Sequence, residues 1–173
     1  MHQSKPYRKC VGLVIINKDN KIFVGKRIDS NLNAWQMPQG GIEPGEDPLI
    51  AGLREMEEEI GTKNVEYLDE INSWLNYDIP LNLSKKLWNG KYRGQTQKWL
   101  AYRFLGKNDE INIKTKNPEF IDWKWESHKN LPSLAVPFKR DIYLKVIAGF
   151  KNCLLYTSPS PRDRTTSRMP SAA

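Results

Sequence analysis

The sequence contains few of the residues on which several classes of enzyme depend. Its 173 residues include two cysteines, Cys10 and Cys153, and two histidines, His2 and His128. Two thiols exclude a disulfide framework and a thiolate zinc site. A histidine-based catalytic triad is equally unexpected with so little histidine.

Long apolar runs, internal repeats and a leader-like N-terminus are missing as well. A helix that crosses a membrane needs about 20 consecutive apolar residues, so no membrane association is predicted. Together with the scarcity of cysteine, these absences predict a cytoplasmic protein, and we expect a monomer. The formal net charge of +7 favours a polyanionic partner, because Lys and Arg concentrate phosphates around a protein.

The length of the chain suits one domain, which we place at residues 1–152. From Cys153 onward the sequence has little structure-forming pattern and resembles translated sequencing-adapter DNA joined to a truncated reading frame. We therefore predict that residues 153–173 are a non-native tail without a function. A native disordered tail is the alternative.

One segment, GGIEPGEDPLIAGLREMEEEIGT at residues 40–62, has the clearest chemical pattern. Asp47 and Pro48 are typical of a helix start and Gly61 of a helix end, so a helix of about three turns is predicted. Apolar residues recur along it with helical spacing and predict a stripe that faces the core. The stripe consists of Leu49, Leu53, Met56 and Ile60.

Three carboxylates share another face of this helix, because Glu55, Glu58 and Glu59 are spaced i, i+3 and i+4. Like charges at this spacing repel each other, so a cation is expected beside them. Ala51 and Gly52, one turn earlier, are predicted to leave room above the carboxylates. Mg²⁺ prefers such oxygen ligands and shares them with substrate phosphates. For three Glu taken alone, a solvated acidic helix face is the alternative interpretation.

The wider pattern resembles the Nudix box, in which fixed residues recur at fixed spacing. The matching positions are Gly40, Glu46, Arg54, Glu55, Glu58, Glu59 and Gly61. One departure is Thr62, where the family has an aliphatic residue. The similarity extends over residues 6–150, in segments such as WQMPQGGIEPGE, GQTQKW and PFKRDIYLKV. These segments resemble the bacterial RNA pyrophosphohydrolases, a Nudix subfamily that includes diadenosine polyphosphate hydrolases.

The resemblance implies a role for each matching residue. Two or more Mg²⁺ or Mn²⁺ ions would be held by the Gly40 carbonyl and by Glu55, Glu58, Glu59 and Glu119. The catalytic residues would be Glu55 and Glu119. The residues of structural importance would be Glu46, Arg54 and Gly61. The substrate would be bound by Arg8, Arg27, Gln39 and Phe138. Arg27 and Phe138 would hold an RNA base; for Phe138, a core position at the start of a helix is the alternative.

The rest of the chain predicts a sheet between helices. Apolar runs predict strands at residues 10–16, 22–26, 65–75, 97–105 and 120–125, and Pro137 opens a final helix. Residues 74–80 are predicted to form an aromatic turn. Residues 84–94 are predicted to form a basic loop suited to phosphates and a stacked base, or else an ordinary surface loop. We predict the α/β class, with a Nudix-type α/β/α sandwich around a mixed β-sheet.

For function, the resemblance implies an RNA 5′-pyrophosphohydrolase, which converts the 5′-triphosphate or diphosphate end of RNA into a monophosphate and so initiates mRNA decay. A diadenosine polyphosphate hydrolase is the alternative. The predicted partner is therefore 5′-polyphosphorylated RNA or a dinucleoside polyphosphate. A non-catalytic RNA-binding Nudix module is also conceivable, but such modules tend to lose carboxylates of the box, and this sequence retains them all.

Overall fold

The computed structural model describes residues 2–30 and 32–155, which form one sheet between two layers of helices. The strands are β1 (Tyr7–Ile16), β2 (Ile22–Arg27), β3 (Trp35–Gln36), β4 (Gln39–Gly41), β5 (Val65–Glu70), β6 (Leu75–Asp78), β7 (Gly94–Phe104) and β8 (Phe120–Glu126). The helices are α1 (Pro48–Ile60), α2 (Leu81–Trp88), α3 (Leu131–Leu134), α4 (Arg140–Gly149) and α5 (Lys151–Leu155). Short 3₁₀ turns lie at His2–Ser4, Asn108–Glu110 and Pro137–Lys139.

The sheet is mixed because its two longest strands, β1 and β7, run parallel along their length. The strand order is β3-β2-β1-β7-β5, with β4 beside β1, β6 beside β7 and β8 beside β2. Every pairing in the described sheet other than β1 with β7 is antiparallel. β1 and β2 form the predicted hairpin, with Ile16 opposite Ile22.

Alternate residues of β1 face two separate cores, because successive side chains of a strand point to opposite faces. Val11 and Leu13 pack in the core that contains Met56 of α1. Val14 packs in the core that contains Tyr143 of α4. Helices thus cover both faces of the sheet, and the prediction of an α/β/α sandwich is confirmed.

Helix α1 begins and ends where the sequence predicts. The Asp47 carboxylate accepts a hydrogen bond from the backbone N–H of Leu49 at 2.8 Å. Gly61 ends the helix with φ 77°, a left-handed conformation that favours glycine. The predicted apolar stripe is only partly right, because Leu49 is 40% exposed. The residues that α1 buries are Ala51, Gly52, Met56, Glu59 and Ile60.

The prediction for Ala51 and Gly52 is wrong. They do not leave room above the carboxylates; both are buried against the sheet. A Cβ on Gly52 would lie 3.0 Å from Leu100 Cδ1 and 3.2 Å from Leu13 Cδ2. The small side chains therefore allow α1 to pack closely on β1 and β7.

The segment predicted as one strand and an aromatic turn contains two strands. β5 ends at Glu70, and residues 75–78 form β6, which pairs antiparallel with β7. The predicted turn over residues 74–80 is therefore wrong. Its central residue, Tyr77, is opposite Gln95 of β7 and is 8% exposed. A pairing partner distant in sequence decides this conformation.

The basic segment at residues 84–94 is not a loop throughout, because its first half belongs to α2. The helix follows Pro80, a residue common at helix starts, and ends at Asn89, which has φ 55°. These boundary signals are present in the sequence.

The C-terminal part of the described chain ends in α5, where Leu154 is 3% exposed and belongs to the core of α4. The remainder of the predicted tail, residues 156–173, lies outside the described residues, and the proposed boundary after residue 152 stays a prediction. Within residues 2–30 and 32–155, no helix has both the length and the apolar character needed to cross a membrane.

Candidate active site

A cleft of about 510 Å³ lies between β4, α2 and the 3₁₀ turn that precedes α4. Seven of the predicted site residues line it: Arg8, Arg27, Gln39, Gly40, Glu55, Glu119 and Phe138. The volume is in the usual range of small-molecule sites, roughly 300 to 1,000 Å³. The fold thus assembles one site from residues that are widely separated in the sequence.

Arg54 connects the loop before α1 to the helix itself. Its Nε and Nη2 donate to the two carboxylate oxygens of Glu46, both at 2.9 Å. Nη2 also donates to the Gly41 carbonyl and Nη1 to Glu55 Oε1, again at 2.9 Å. The paired hydrogen bonds from Arg54 lower the pKa of Glu46 to about 2. The structural role of Glu46 and Arg54 stays a prediction.

Glu55 lies against the backbone of β4. A Cβ on Gly40 would collide with the Glu55 carboxylate, so only glycine leaves space for it. The Glu55 side chain is 14% exposed. Burial raises its pKa to about 7, although the hydrogen bond from Arg54 opposes the shift. Gly40, and not Gly52, is therefore the small residue that makes room for a box carboxylate.

Glu59 is the most deeply buried of the predicted carboxylates, at 2% exposure. Its Oε2 has no hydrogen-bond partner among the described residues. Burial raises the pKa of Glu59 well above its usual range, and the charges of Glu55 and Glu119 raise it further. A buried carboxylate oxygen without a partner, close to two other acids, fits a site for a divalent cation.

The other two acids are more open. Glu58 is 58% exposed and lies 3.6 Å from Arg54, while Glu119, just before β8, is 44% exposed and lies 3.6 Å from Arg27. Among the described residues, no three acidic, histidine or cysteine side chains converge tightly enough to form a ready metal cluster. Glu55 and Glu58 lie beside Arg54, and Glu119 lies beside Arg27.

Two arginines of the cleft differ in how they are held. Arg8 lies beside Gly41, where a Cβ would collide with the guanidinium, and its Cζ is 5.8 Å from the centre of the Trp88 ring. Arg27 forms two hydrogen bonds to Asp29, at 2.8 and 2.7 Å. Asp29 was not predicted as a site residue. Its contact with Arg27 spans two residues in the turn after β2, and the polar residues Asp29 and Ser30 were the local signal for that turn.

Phe138 has both of the environments predicted as alternatives. It lines the cleft, and it also packs half-buried against the core of α4. Its ring stacks on Tyr77 with centroids 6.1 Å apart and planes at 23°. Tyr77, and Lys86 and Trp88 of α2, line the same cleft. Part of the basic segment therefore does face the site, from a helix.

Gln39 belongs to a buried polar network. Its Oε1 accepts a hydrogen bond from Gln97 Nε2 at 3.0 Å and lies 3.5 Å from Lys139 Nζ. Lys139 also donates to Gln36 Oε1 at 3.2 Å, and burial lowers the pKa of Lys139 to about 8. Gln36, Gln97 and Lys139 were missed in the sequence. The sequence did contain a signal for them, because Gln36 and Gln97 are polar residues within strands and Lys139 is a charged residue next to the start of a helix.

Comparisons with known proteins show the family to which the chain belongs. The family model described as NUDIX domain matches residues 6–146, and the chain belongs to the Nudix family. A curated RNA pyrophosphohydrolase of Rickettsia bellii (strain OSU 85-389) is 52% identical over 153 residues, which cover 88% of this chain and 95% of the relative. An RNA pyrophosphohydrolase of Rickettsia typhi is 53% identical over 149 residues, covering 86% and 92%. Nudix hydrolases generally depend on divalent metal ions.

Two solved structures that are named as hydrolases have a similar fold. The E. coli dihydroneopterin triphosphate pyrophosphohydrolase has a TM-score of 0.62 at 19% identity, covering 83% of this chain and 99% of its own. A C. elegans Ap4A hydrolase complex has a TM-score of 0.57 at 18% identity, covering 83% and 98%. At these identities the similarity establishes the fold alone.

Proposed function

We propose that this protein is an RNA 5′-pyrophosphohydrolase, which converts a 5′-triphosphate or diphosphate end of RNA to a monophosphate and so initiates mRNA decay. One observation carries the proposal: relatives named RNA pyrophosphohydrolases are 52% identical over 88% of the chain. The cleft, which combines acids, cations and aromatic rings, supports it. A cytoplasmic location and a monomeric state remain predictions.

We assign the metal site to the acids around Glu59. Glu55, Glu58, Glu59, Glu119 and the Gly40 carbonyl would hold two or more Mg²⁺ or Mn²⁺ ions. When bound, such ions would offset the charge of the polyphosphate and stabilise the leaving phosphate or pyrophosphate. The buried, unpartnered oxygen of Glu59 supports this assignment, because a carboxylate that is shielded from water and close to two other acids needs a cation to hold it in its ionised form.

The chain itself positions the reacting groups. Glu55 is our first choice for the residue that takes a proton from the attacking water, and Glu119 is the second, since both line the cleft. Arg54 fixes Glu55 through the hydrogen bond at 2.9 Å and is itself fixed by Glu46. The Glu46–Arg54 pair thus limits the positions that Glu55 adopts, which favours a productive geometry.

Arginine and aromatic side chains around the acids are suited to bind the substrate. Arg8, supported by Trp88, is suited to a phosphate. Phe138 and Tyr77 offer aromatic surface for a base. Arg27 is paired with Asp29, so we propose that it contacts substrate as part of an ion pair and not as an isolated charge.

The deciding experiment compares substrates with the full-length protein and Mg²⁺ or Mn²⁺. RNA labelled at its γ-phosphate and diadenosine polyphosphate are hydrolysed in parallel, and kcat/KM is measured for each. Release of label from RNA with a higher kcat/KM than for the dinucleotide is the expected result. A much faster reaction with diadenosine polyphosphate would replace the proposal with a dinucleoside polyphosphate hydrolase, and binding of RNA without hydrolysis of either would indicate a non-catalytic module.

A further inference from the structure

Gln95 occupies the centre of a row of three side chains that cross the floor of the cleft. On β7 it is the register partner of Arg8 on β1 and of Tyr77 on β6. All three residues line the cleft. Adjacent strands are about 4.8 Å apart, so the backbone of Gln95 is one strand spacing from that of the arginine that we assign to a phosphate.

The Gln95 amide is unusual among the glutamines of this region. It is 5% exposed, and its Oε1 has no hydrogen-bond partner within residues 2–30 and 32–155. Gln36, Gln39 and Gln97 all have partners there. An unpaired buried acceptor lowers stability by an amount comparable to a lost hydrogen bond, so it requires an explanation.

The chemistry of an amide oxygen limits what can satisfy it. It needs either a hydrogen-bond donor or a cation. An ionised phosphate provides neither, and the positive charge of Arg8, the register partner of Gln95, repels a metal ion at this position. In an RNA chain the ribose 3′ oxygen is esterified, which leaves the 2′-hydroxyl as the sugar donor nearest to the phosphates. Base edges extend farther from the backbone. A donor within one strand spacing of Arg8 is therefore best matched by a 2′-hydroxyl.

We propose that Gln95 accepts a hydrogen bond from a ribose 2′-hydroxyl at the 5′ end of the substrate, and so makes the enzyme select RNA over DNA ends. This inference rests on the proposed function. Neighbouring atoms shield Oε1 from solvent. The last torsion angle of a glutamine side chain, χ3, has a broad and roughly two-fold distribution, so the amide plane can rotate. Rotation of the amide plane presents the oxygen to the cleft without a movement of β7. The 2′-hydroxyl is the group by which proteins distinguish RNA from DNA.

The test uses 5′-triphosphorylated oligonucleotides that are identical except for a single 2′-deoxyribose at the first or the second nucleotide. We expect the wild-type protein to lose about tenfold in kcat/KM with one of the two deoxy substrates, the change that corresponds to one hydrogen bond. Gln95→Met, of similar length but without an amide, should lose about the same factor on the all-ribose substrate and almost nothing on that deoxy substrate.

A matched control distinguishes recognition from structure. Gln97→Met removes a buried amide two residues along the same strand that bonds Gln39 and Trp99 and does not line the cleft. It should change kcat/KM equally for ribose and deoxyribose substrates, so their ratio stays at the wild-type value. Gln95→Glu retains a side-chain oxygen that accepts a hydrogen bond. Its ratio of kcat/KM on ribose and deoxyribose substrates should therefore stay at the wild-type value, even if kcat/KM falls on both.

Three results would overturn the inference. Equal hydrolysis of ribose and both deoxy substrates by the wild type would do so while leaving the proposed function intact. If Gln95→Met lowered kcat/KM equally on the ribose and deoxyribose substrates, Gln95 would have a structural role only. A wild-type protein inactive on every triphosphorylated oligonucleotide would reject the proposed function, and this inference with it.

Discussion

Glu59 has an environment that lowers the stability of the folded chain in the absence of a cation. Its carboxylate is 2% exposed, has one oxygen without a partner among the described residues, and lies near two other acids. Burial of an ionised carboxylate without compensation is unfavourable. Active sites commonly retain such residues because function requires them.

We therefore predict opposite effects of Glu59→Gln on activity and on metal-free stability. Activity should fall about 10²-fold or more, a loss typical of disturbed electrostatic catalysis. With a chelator present, Tm should rise, because a neutral amide is easier to bury. Glu58→Gln should lower activity to a similar extent with little change in Tm, since Glu58 is 58% exposed. Kinetics and thermal unfolding measure both effects.

Glu57→Gln is the matched control on the same helix, because Glu57 is 58% exposed and lies outside the box pattern. It should leave activity and Tm near the wild-type values. Near-normal turnover of Glu58→Gln and Glu59→Gln at saturating Mg²⁺ would contradict the metal assignment.

Phe138 allows a test of base recognition. Phe138→Ala should lower kcat/KM on triphosphorylated RNA by about 5- to 150-fold, which corresponds to a stacking contact of about 1 to 3 kcal/mol. Hydrolysis of a nucleoside triphosphate should hardly change, because it has no downstream base to stack. Tm must be followed, since Phe138 also packs against the core and truncation of a core Phe costs about 3 to 5 kcal/mol.

Leu144→Ala serves as its control, because Leu144 lies on α4 and is 55% exposed. It should affect neither substrate. Equal losses of activity on RNA and on the mononucleotide in Phe138→Ala would show that Phe138 supports the fold and does not recognise a base.

At the level of elements, the Glu46–Arg54 pair connects the loop after β4 to α1. Hydrogen bonds from Arg54 lower the pKa of folded Glu46 to about 2, from an ordinary value of 4.5. A depressed carboxyl pKa adds stability that is fully present above the unfolded pKa and is lost as the pH falls through the folded pKa. The relevant window therefore extends from about pH 4.5 down to about pH 2.

We predict that Glu46→Gln is less stable than the wild type at neutral pH and that the difference shrinks inside this window. The amide cannot form the charged, two-bond contact with Arg54. Denaturant unfolding of both proteins at several pH values between 7 and 3 measures the difference. A difference in unfolding free energy that stays constant from pH 7 to pH 3 would show that the ion pair is not its source.

At the scale of the whole molecule, the C-terminal boundary can be located by truncation. A chain that ends at Leu155 retains every described element and should match the full-length protein in activity and Tm. A chain that ends at Asn152 should stay active, but it loses Leu154, which is 3% exposed. Because burial of a leucine contributes about 1.5 to 3 kcal/mol, its Tm should be several degrees lower.

Thermal unfolding and RNA hydrolysis of the two truncated chains provide the measurement, with full-length protein as the reference. If the chain ending at Leu155 stayed folded but lost RNA hydrolysis, the segment after it would have a function. The prediction of a functionless tail would then be wrong.

The sequence by itself determined the features that depend on near neighbours. The limits of α1 follow from Asp47, Pro48 and Gly61, whose effects on backbone hydrogen bonds and dihedral angles extend over a few residues. The spacing of the box glutamates depends only on helix geometry. The apolar runs of β1 and β7 reflect burial on both faces, so the sandwich could be predicted as well.

Only the tertiary structure decided the features that depend on distant partners. β6 exists because β7 pairs with it, although its own sequence resembles a turn. Glu59 is buried while Glu58 is exposed, since packing against the sheet selects one face of α1. The isolation of the Gln95 oxygen arises from the same cause. Hydrogen bonding and solvation at these positions depend on groups brought together by folding, which no local pattern encodes.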